Sequence, residues 1–208
     1  GEGRRVREVG GGEAVGAGGG FRKVWVAQLP AETRGRWSLV VAAPIGFDEH
    51  LIRFWSNHFA VSVDKRQALL YAAPMEREVI RPLAFGRFAD LLAGVESHPA
   101  MLRYLDNVTS IGPDSRMGER VAAMTANGGN APKRKAGLNE NLAREILELH
   151  TLGVNGGYTQ ADVTEFARAI TGWSLRGPRD GAARSGESAF VFRDNAHEPG
   201  ARQVLGKR

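Results

Sequence analysis

The 208-residue chain contains no cysteine. That excludes a disulfide scaffold, a thiolate nucleophile and any cysteine-ligated zinc or iron–sulfur site, and it leaves the redox compartment open. No apolar run approaches the roughly 20 residues that a membrane-spanning helix needs. Lysine is scarce, with 5 Lys against 23 Arg. Beside so much Ala and Gly, that bias reads as GC-rich coding rather than a phosphate-binding design. What is present, 42% hydrophobic and 25% charged residues, is the composition of an ordinary globular protein. The length suffices for one ample core or two small ones without a disulfide or a metal.

The formal charge of +5 and the pI near 10 invite a nucleic-acid reading. The location of the charge argues against it. Residues 174–208 hold seven basic and four acidic side chains and residues 111–137 five and two, whereas residues 138–173 hold two and five. A duplex binder gathers Lys and Arg on one helix or face, but here the most strongly patterned helix is acidic. Nine of the 27 glycines fall in residues 1–20. Such a segment buries too little apolar surface to offset its backbone entropy and reads as a flexible tail or linker. It has neither the preceding strand of a dinucleotide-binding loop nor the apolar core of a secretory signal.

From Phe21 to Trp173 the apolar spacing is helical. A first helix is expected within residues 21–43, interrupted near Pro30, and a second from Phe47 or Asp48 to Val61. Pro74 suits the first position of a short helix reaching Arg81. Gly86 to His98 and Pro99 to Asp106 read as two more, and residues 107–137 as a long polar connection. The clearest helix has Asn139 as N-cap and Gly153 just past its end. Thr159 and Asp162 form a capping box for a last helix carrying Val163, Phe166, Ala167, Ile170 and Trp173 on one side and ending near Gly172. Residues 174–208 change character. Ala189–Arg193 and Arg202–Leu205 read as two short strands around a turn over Asn195–Gly200.

Two histidines sit on apolar helix faces. His150 lies among Leu142, Ala143, Ile146, Leu147 and Leu149, with Glu145 at the border of that arc beside Leu149; His58 falls between Leu51 and Phe54. A buried imidazole needs a partner for each ring nitrogen. Asn57 points away from His58's face, and Asp106, Asn107 and His197 are further candidate partners. Glu140, Arg144 and Glu148 stack on the outer face as a solvated salt-bridged ladder, which Asn141 and Glu145 could extend toward a neighbouring element.

Three chemistries compete with a purely architectural network. His58, Glu145 and His150 are acceptable zinc or iron ligands, although no pair has the spacing that places two ligands on one helix. Glu145 with Glu148 or Asp106 could do acid–base work if burial separated their pKa values. Serine nucleophilic catalysis finds no G-x-S-x-G around Ser56, Ser62 or Ser110. A buried hydrogen-bonded network that fixes how the helices dock accounts for the same residues.

Several stretches carry a resemblance. They are Phe54-Trp55-Ser56-Asn57-His58-Phe59, Tyr104-Leu105-Asp106-Asn107, the run from Asn139 to Gly153, Gly156-Gly157-Tyr158-Thr159 and Thr171-Gly172-Trp173, with a weaker continuation through Phe190, Phe192, His197, Gly200 and Leu205-Gly206. In that order they resemble the bacterial domain-of-unknown-function 1800 family over about residues 45–206. The resemblance implies a mostly helical bacterial protein, a leaning toward export to the periplasm or envelope, and a protein partner from a neighbouring uncharacterised family. It brings no established activity, and it implies that this chain is an internal piece of a larger protein. Asn155 and Glu198 stand where Asp is expected, which weakens a carboxylate-ligand role at both.

The resulting expectation is a mainly α protein, a helical bundle with a small C-terminal β-hairpin, divided into residues 1–20, 21–173 and 174–208. A site, if present, draws on Asn57, His58, Asp106, Asn107, Asn139, Glu140, Asn141, Arg144, Glu145, Glu148 and His150, with His58, Glu145 and His150 as the metal set. No cofactor is assigned. The function expected is an envelope-associated binding or structural module, against the alternative of a metal-assisted or carboxylate-based hydrolase on the Asn139–His150 helix.

Overall fold

The computed structural model describes residues 30–38, 41, 46–62, 65–126, 137–177, 180 and 189–208. The Gly-rich segment 1–20 and residues 127–136 of the expected polar connection lie outside the described residues. Two units are distinguished, Gly1–Val41 and Ala42–Arg208. In the first, residues 30–38 form helix α1, with Pro30 in its first described turn.

The second unit is a helical bundle with one small antiparallel hairpin. Helix α2, Phe47–His58, has Asp48 and Glu49 in its first turn and His58 in its last, the charge order its macrodipole favours. Helix α3, Arg66–Met75, runs on into a π-helical stretch, Glu76–Ile80, and the short α4, Arg81–Leu83. Pro74 therefore opens no helix. Ala68, Tyr71, Ala72 and Ala73 already make the residues before it helical, and the missing N–H of Pro74 is followed by a widened turn in which the Arg81 N–H reaches back five residues to the Glu76 carbonyl.

Helix α5, Phe88–Glu96, and α6, Pro99–Tyr104, meet at His98, whose ring accepts the Ala100 N–H as N-cap while Pro99 takes the first helical position. The expected polar connection 107–137 is not all loop. It holds a 3₁₀ turn, Asn107–Thr109, and helix α7, Arg116–Ala126. Ser115 caps α7 by accepting the Gly118 N–H at 3.1 Å. Met117, Val121 and Met124 fall on one side of α7, but none of its side chains is fully buried.

Helix α8 spans Asn141–Glu145 and continues as a second π stretch, Ile146–Thr151. Its N-cap position is Glu140 rather than Asn139, and the Glu140 carbonyl accepts the first helical bond, from the Arg144 N–H at 2.9 Å. The Asn139 Oδ1 still takes the Asn141 N–H at 2.9 Å. Helix α9, Gln160–Ala169, starts with the expected capping box between Thr159 and Asp162.

Strand β1, Trp173–Leu175, pairs antiparallel with β2, Phe190–Phe192, in the register Trp173 to Phe192. The partner of β2 is thus the segment just after α9, not residues 202–205. Gly172 at φ +82° turns the chain out of α9, and Trp173 packs its ring against Phe190 at 5.7 Å. Segment 202–205 makes only an isolated bridge from Val204 to Lys207, and Leu205 donates its N–H to Asp162 at 2.7 Å.

One core joins these elements. Ile52 and Phe59, Met75 and Ile80, Leu91 and Val95, Met101 and Leu102, Leu142 and Leu147, and Val163 and Ile170 form one buried cluster. Each such side chain contributes about 1.5–3 kcal/mol on burial. Among the described residues, no helix is long and apolar enough to cross a membrane.

Candidate functional site

The apolar residues of α8 and its π extension draw His150 inward with them. Five-residue backbone bonds replace four-residue ones here, and Thr151 donates its hydroxyl to the Ile146 carbonyl at 2.6 Å. His150 is 3% exposed. Its Nδ1 stands 2.7 Å from Oε1 of Glu96, the last residue of α5, whose side chain is equally buried. The contact is close but poorly aligned. Neither Glu96 oxygen nor His150 Nδ1 has a partner in proper hydrogen-bond geometry. Burial pushes the Glu96 carboxyl above its usual range; the His150 imidazole pulls it back, and the Glu145 carboxylate adds to the rise.

His58 completes this cluster from α2. Its Nε2 donates to the backbone carbonyl of His150 at 3.1 Å, and its ring centroid is 5.9 Å from that of His150. The fully buried Phe59 ring lies edge-on to His150 at 5.1 Å, and Trp55 packs on both His58 and Phe59. His150 thus meets Glu96, a residue that sequence reasoning missed, while His58 and Glu145 act on it only through their charge. The available signal was a carboxylate next to Val95 and four residues after Leu92, at the border of an apolar helix face. Among the described residues, no three His, Asp or Glu side chains converge as a metal-ligand set.

The remaining candidates divide into other groups. Asn107 is 1% exposed and donates its amide to the Ile170 and Trp173 carbonyls, each at 3.2 Å, tying the 3₁₀ turn to the end of α9 and to β1. Asn139 donates to the Leu105 carbonyl at 3.3 Å and to that of Asp106 at 3.4 Å. Asp106 holds a left-handed backbone at φ 58° and pairs with Lys65.

The outer ladder is an interhelical junction. Glu140 accepts from Thr164 at 2.7 Å, Gln160 at 2.8 Å and Arg144 at 3.2 Å. These bonds, the Thr164 hydroxyl first, hold its carboxyl below the usual range. Glu148 faces Tyr158, whose phenol is pushed up by burial and then by that carboxylate. Asn57 and Asn141 are exposed.

Two further buried polar centres went unpredicted. Arg81 grips Glu49 through both oxygens, at 2.7 and 3.2 Å, and Glu76 at 2.9 Å, clamping α2 to the first π stretch. Glu198, 1% exposed, accepts the Asp114 N–H at 2.9 Å, while its own N–H goes to the Thr171 hydroxyl at 2.8 Å. Beside it, His197 donates from Nδ1 to the Thr171 carbonyl at 2.9 Å, tying the C-terminal turn to the chain just after α9.

No curated protein and no solved structure matches the chain. The family model described as "Protein of unknown function (DUF1800)" matches residues 22–208, nearly the whole sequence. The buried His150, the Asn107 strut and the Thr159 capping box all fall inside that match, and the chain belongs to the DUF1800 family.

Proposed function

We propose that this chain is a binding or structural module of the bacterial envelope in which the polar residues of the Asn139–His150 helix dock the bundle's own elements. The observation that carries this reading is the enclosure of His150 and Glu96. Both side chains are 3% exposed, the His150 ring sits against Phe59, and the His150 backbone is held by His58. Asn107 and Asn139 likewise bond to carbonyls of their own chain. An envelope location rests on the family resemblance, whose members lean toward export.

Glu96 favours a second reading, carboxylate-based hydrolysis, in one respect. A carboxyl held toward its neutral form beside an imidazole is the kind of pair acid–base catalysts use. That role needs a path from the pair to substrate.

The test is elemental analysis of full-length protein purified without chelators, together with melting of Glu96→Gln and His150→Ala. The architectural reading expects both variants to lower Tm and no stoichiometric zinc or iron. Bound metal at one per chain that is lost in His150→Ala overturns it, as does turnover of a model ester abolished by Glu96→Gln at unchanged Tm. Fractionation of cells expressing the full-length protein checks the location.

A further inference from the structure

Four exposed phenylalanines gather on one side of the bundle. Phe47 and Phe54 stand two turns apart on α2, and Phe85 and Phe88 flank the turn from α4 into α5. They are 71%, 56%, 59% and 41% exposed, in that order. Phe47 meets the Phe85 ring edge-on at 6.4 Å; Trp55 joins the other two, 4.9 Å from the Phe54 ring and 5.6 Å from that of Phe88. At ~200 Å² per ring, these exposures leave on the order of 450 Å² of aromatic surface in water. Contiguous apolar patches of this size mark contact sites for proteins or membranes.

The rings are presented on fixed backbone. The Gly86 N–H closes the turn onto the Leu83 carbonyl at 2.9 Å, and the Trp55 indole donates to the Ala84 carbonyl at 3.2 Å. The chain on either side of Phe85 is thereby held while its ring stands in solvent. Rings this exposed protrude instead of lining a groove. A protein partner needs a pocket for each such anchor, whereas a bilayer interface accepts protruding apolar rings without shape complementarity. Among the described residues no helix is long and apolar enough to cross a membrane, so lipid is met from one side.

The charges beside the rings select the kind of lipid. The solvent-facing half of α2, centred on the exposed His50 and Asn57, carries Arg53 and, apart from the Glu49 that Arg81 occupies, no acid. Asp48 falls on the opposite side of the helix, and Asp90 lies about 160° round α5 from Phe88. Arg87, directly before Phe88, is exposed, and neither it nor Arg53 pairs with a carboxylate among the described residues. The whole chain carries +5, which draws it toward an anionic surface. We infer that Phe47, Phe54, Phe85 and Phe88, with Arg53 and Arg87 beside them, dock the chain on an anionic lipid bilayer. The rings enter the headgroup region and the arginines meet lipid phosphates. This adds a lipid partner to the envelope reading, but it is independent of the Glu96–His150 pair, and purified vesicles test the surface without reference to where the cell places the protein.

Co-sedimentation of the full chain with vesicles of phosphatidylglycerol and phosphatidylethanolamine, against vesicles of phosphatidylcholine, tests the inference. Wild type is expected to bind the anionic vesicles about fivefold more tightly, and to lose that advantage as NaCl rises from about 0.1 to 0.5 M. Phe47→Ser and Phe85→Ser should each weaken binding about tenfold at unchanged Tm, since both rings already stand in water. Arg53→Gln combined with Arg87→Gln should abolish the preference for anionic vesicles. Phe192→Ser, which removes a ring 46% exposed on β2, should bind as wild type does. The inference is overturned if wild type stays in the supernatant with anionic vesicles, if both Phe variants bind undiminished, or if the two vesicle types bind equally. It is also overturned if wild type is a dimer in sedimentation velocity that Phe85→Ser dissociates, because the face then belongs to a second copy. Should Phe47→Ser or Phe85→Ser fail to fold, Phe54→Ser and Phe88→Ser decide by the same tenfold loss.

Discussion

Glu96 Oε1 and His150 Nδ1 stand 2.7 Å apart with both side chains sealed from water, so α5 and the π extension of α8 are joined by a pair that neither can lose alone. Removing one partner leaves the other buried and uncompensated. His150→Ala should cost about 3 kcal/mol in urea unfolding, and Glu96→Gln less, because the amide carries no charge to strand. The double variant should cost less than the two singles together. Strict additivity would show that the pair is not coupled.

The same pair sets a pH dependence. Burial raises the Glu96 carboxyl, so in the window above the ordinary carboxylate value the folded state holds a proton that the unfolded chain has released. Stability from this group is present at low pH and is lost as pH rises through the folded value. Urea midpoints of wild type minus Glu96→Gln should therefore fall with increasing pH. A difference that rises with pH contradicts the assignment.

His98 works with the opposite sign. Burial lowers its pKa despite the Glu78 carboxylate 3.4 Å away, and its Nδ1 must stay unprotonated to accept the Ala100 N–H. Its contribution is complete above the ordinary His value and is lost as pH falls below it. His98→Ala should cost about 1 kcal/mol at pH 8. His98→Asn, which can keep the cap without titrating, should be the less acid-sensitive of the two proteins when compared with wild type between pH 7 and 5.

Asp162 closes the capping box of α9 and also accepts the Leu205 N–H. Thr159→Ala removes only the cap and should cost about 1 kcal/mol. Asp162→Ala should in addition speed hydrogen exchange at the Leu205 amide, while Thr159→Ala leaves that amide protected.

Gly112 lies where a Cβ would come within 2.5 Å of Glu198 Oε2 and 2.7 Å of the Glu198 backbone N. Backbone on that side cannot yield, and Gly112 already donates its N–H to the Ala196 carbonyl at 2.9 Å. Gly112→Ala should destabilise by about 2 kcal/mol, read from thermal or urea unfolding.

Helices were legible wherever a capping residue or a buried stripe marked them: Thr159 and Asp162 for α9, and Leu142, Ala143, Ile146 and Leu147 for α8. Helix α7 was not, because its Ser115 cap and its Met117, Val121 and Met124 stripe lie between glycine-rich and polar segments that read as one loop, and none of its side chains is fully buried. Pro74 misled in the other direction. A proline reads as a helix start, and only the surrounding bundle holds α3 helical through it. His150 and His58 were visible as polar residues on apolar faces, whereas Glu96 was not. Its single position at the edge of an apolar arc resembles any solvated carboxylate until α8 packs across it.

Local chemistry within a few residues determined the helical class, the capping box and the inward turn of His150, since these depend on periodicity and backbone hydrogen bonding that the chain carries in itself. Only tertiary packing decided that His150 meets Glu96 and that β2 pairs with Trp173–Leu175. Each depends on which distant segment fills the neighbouring space, and burial then turns an ordinary polar side chain into one that must find a partner.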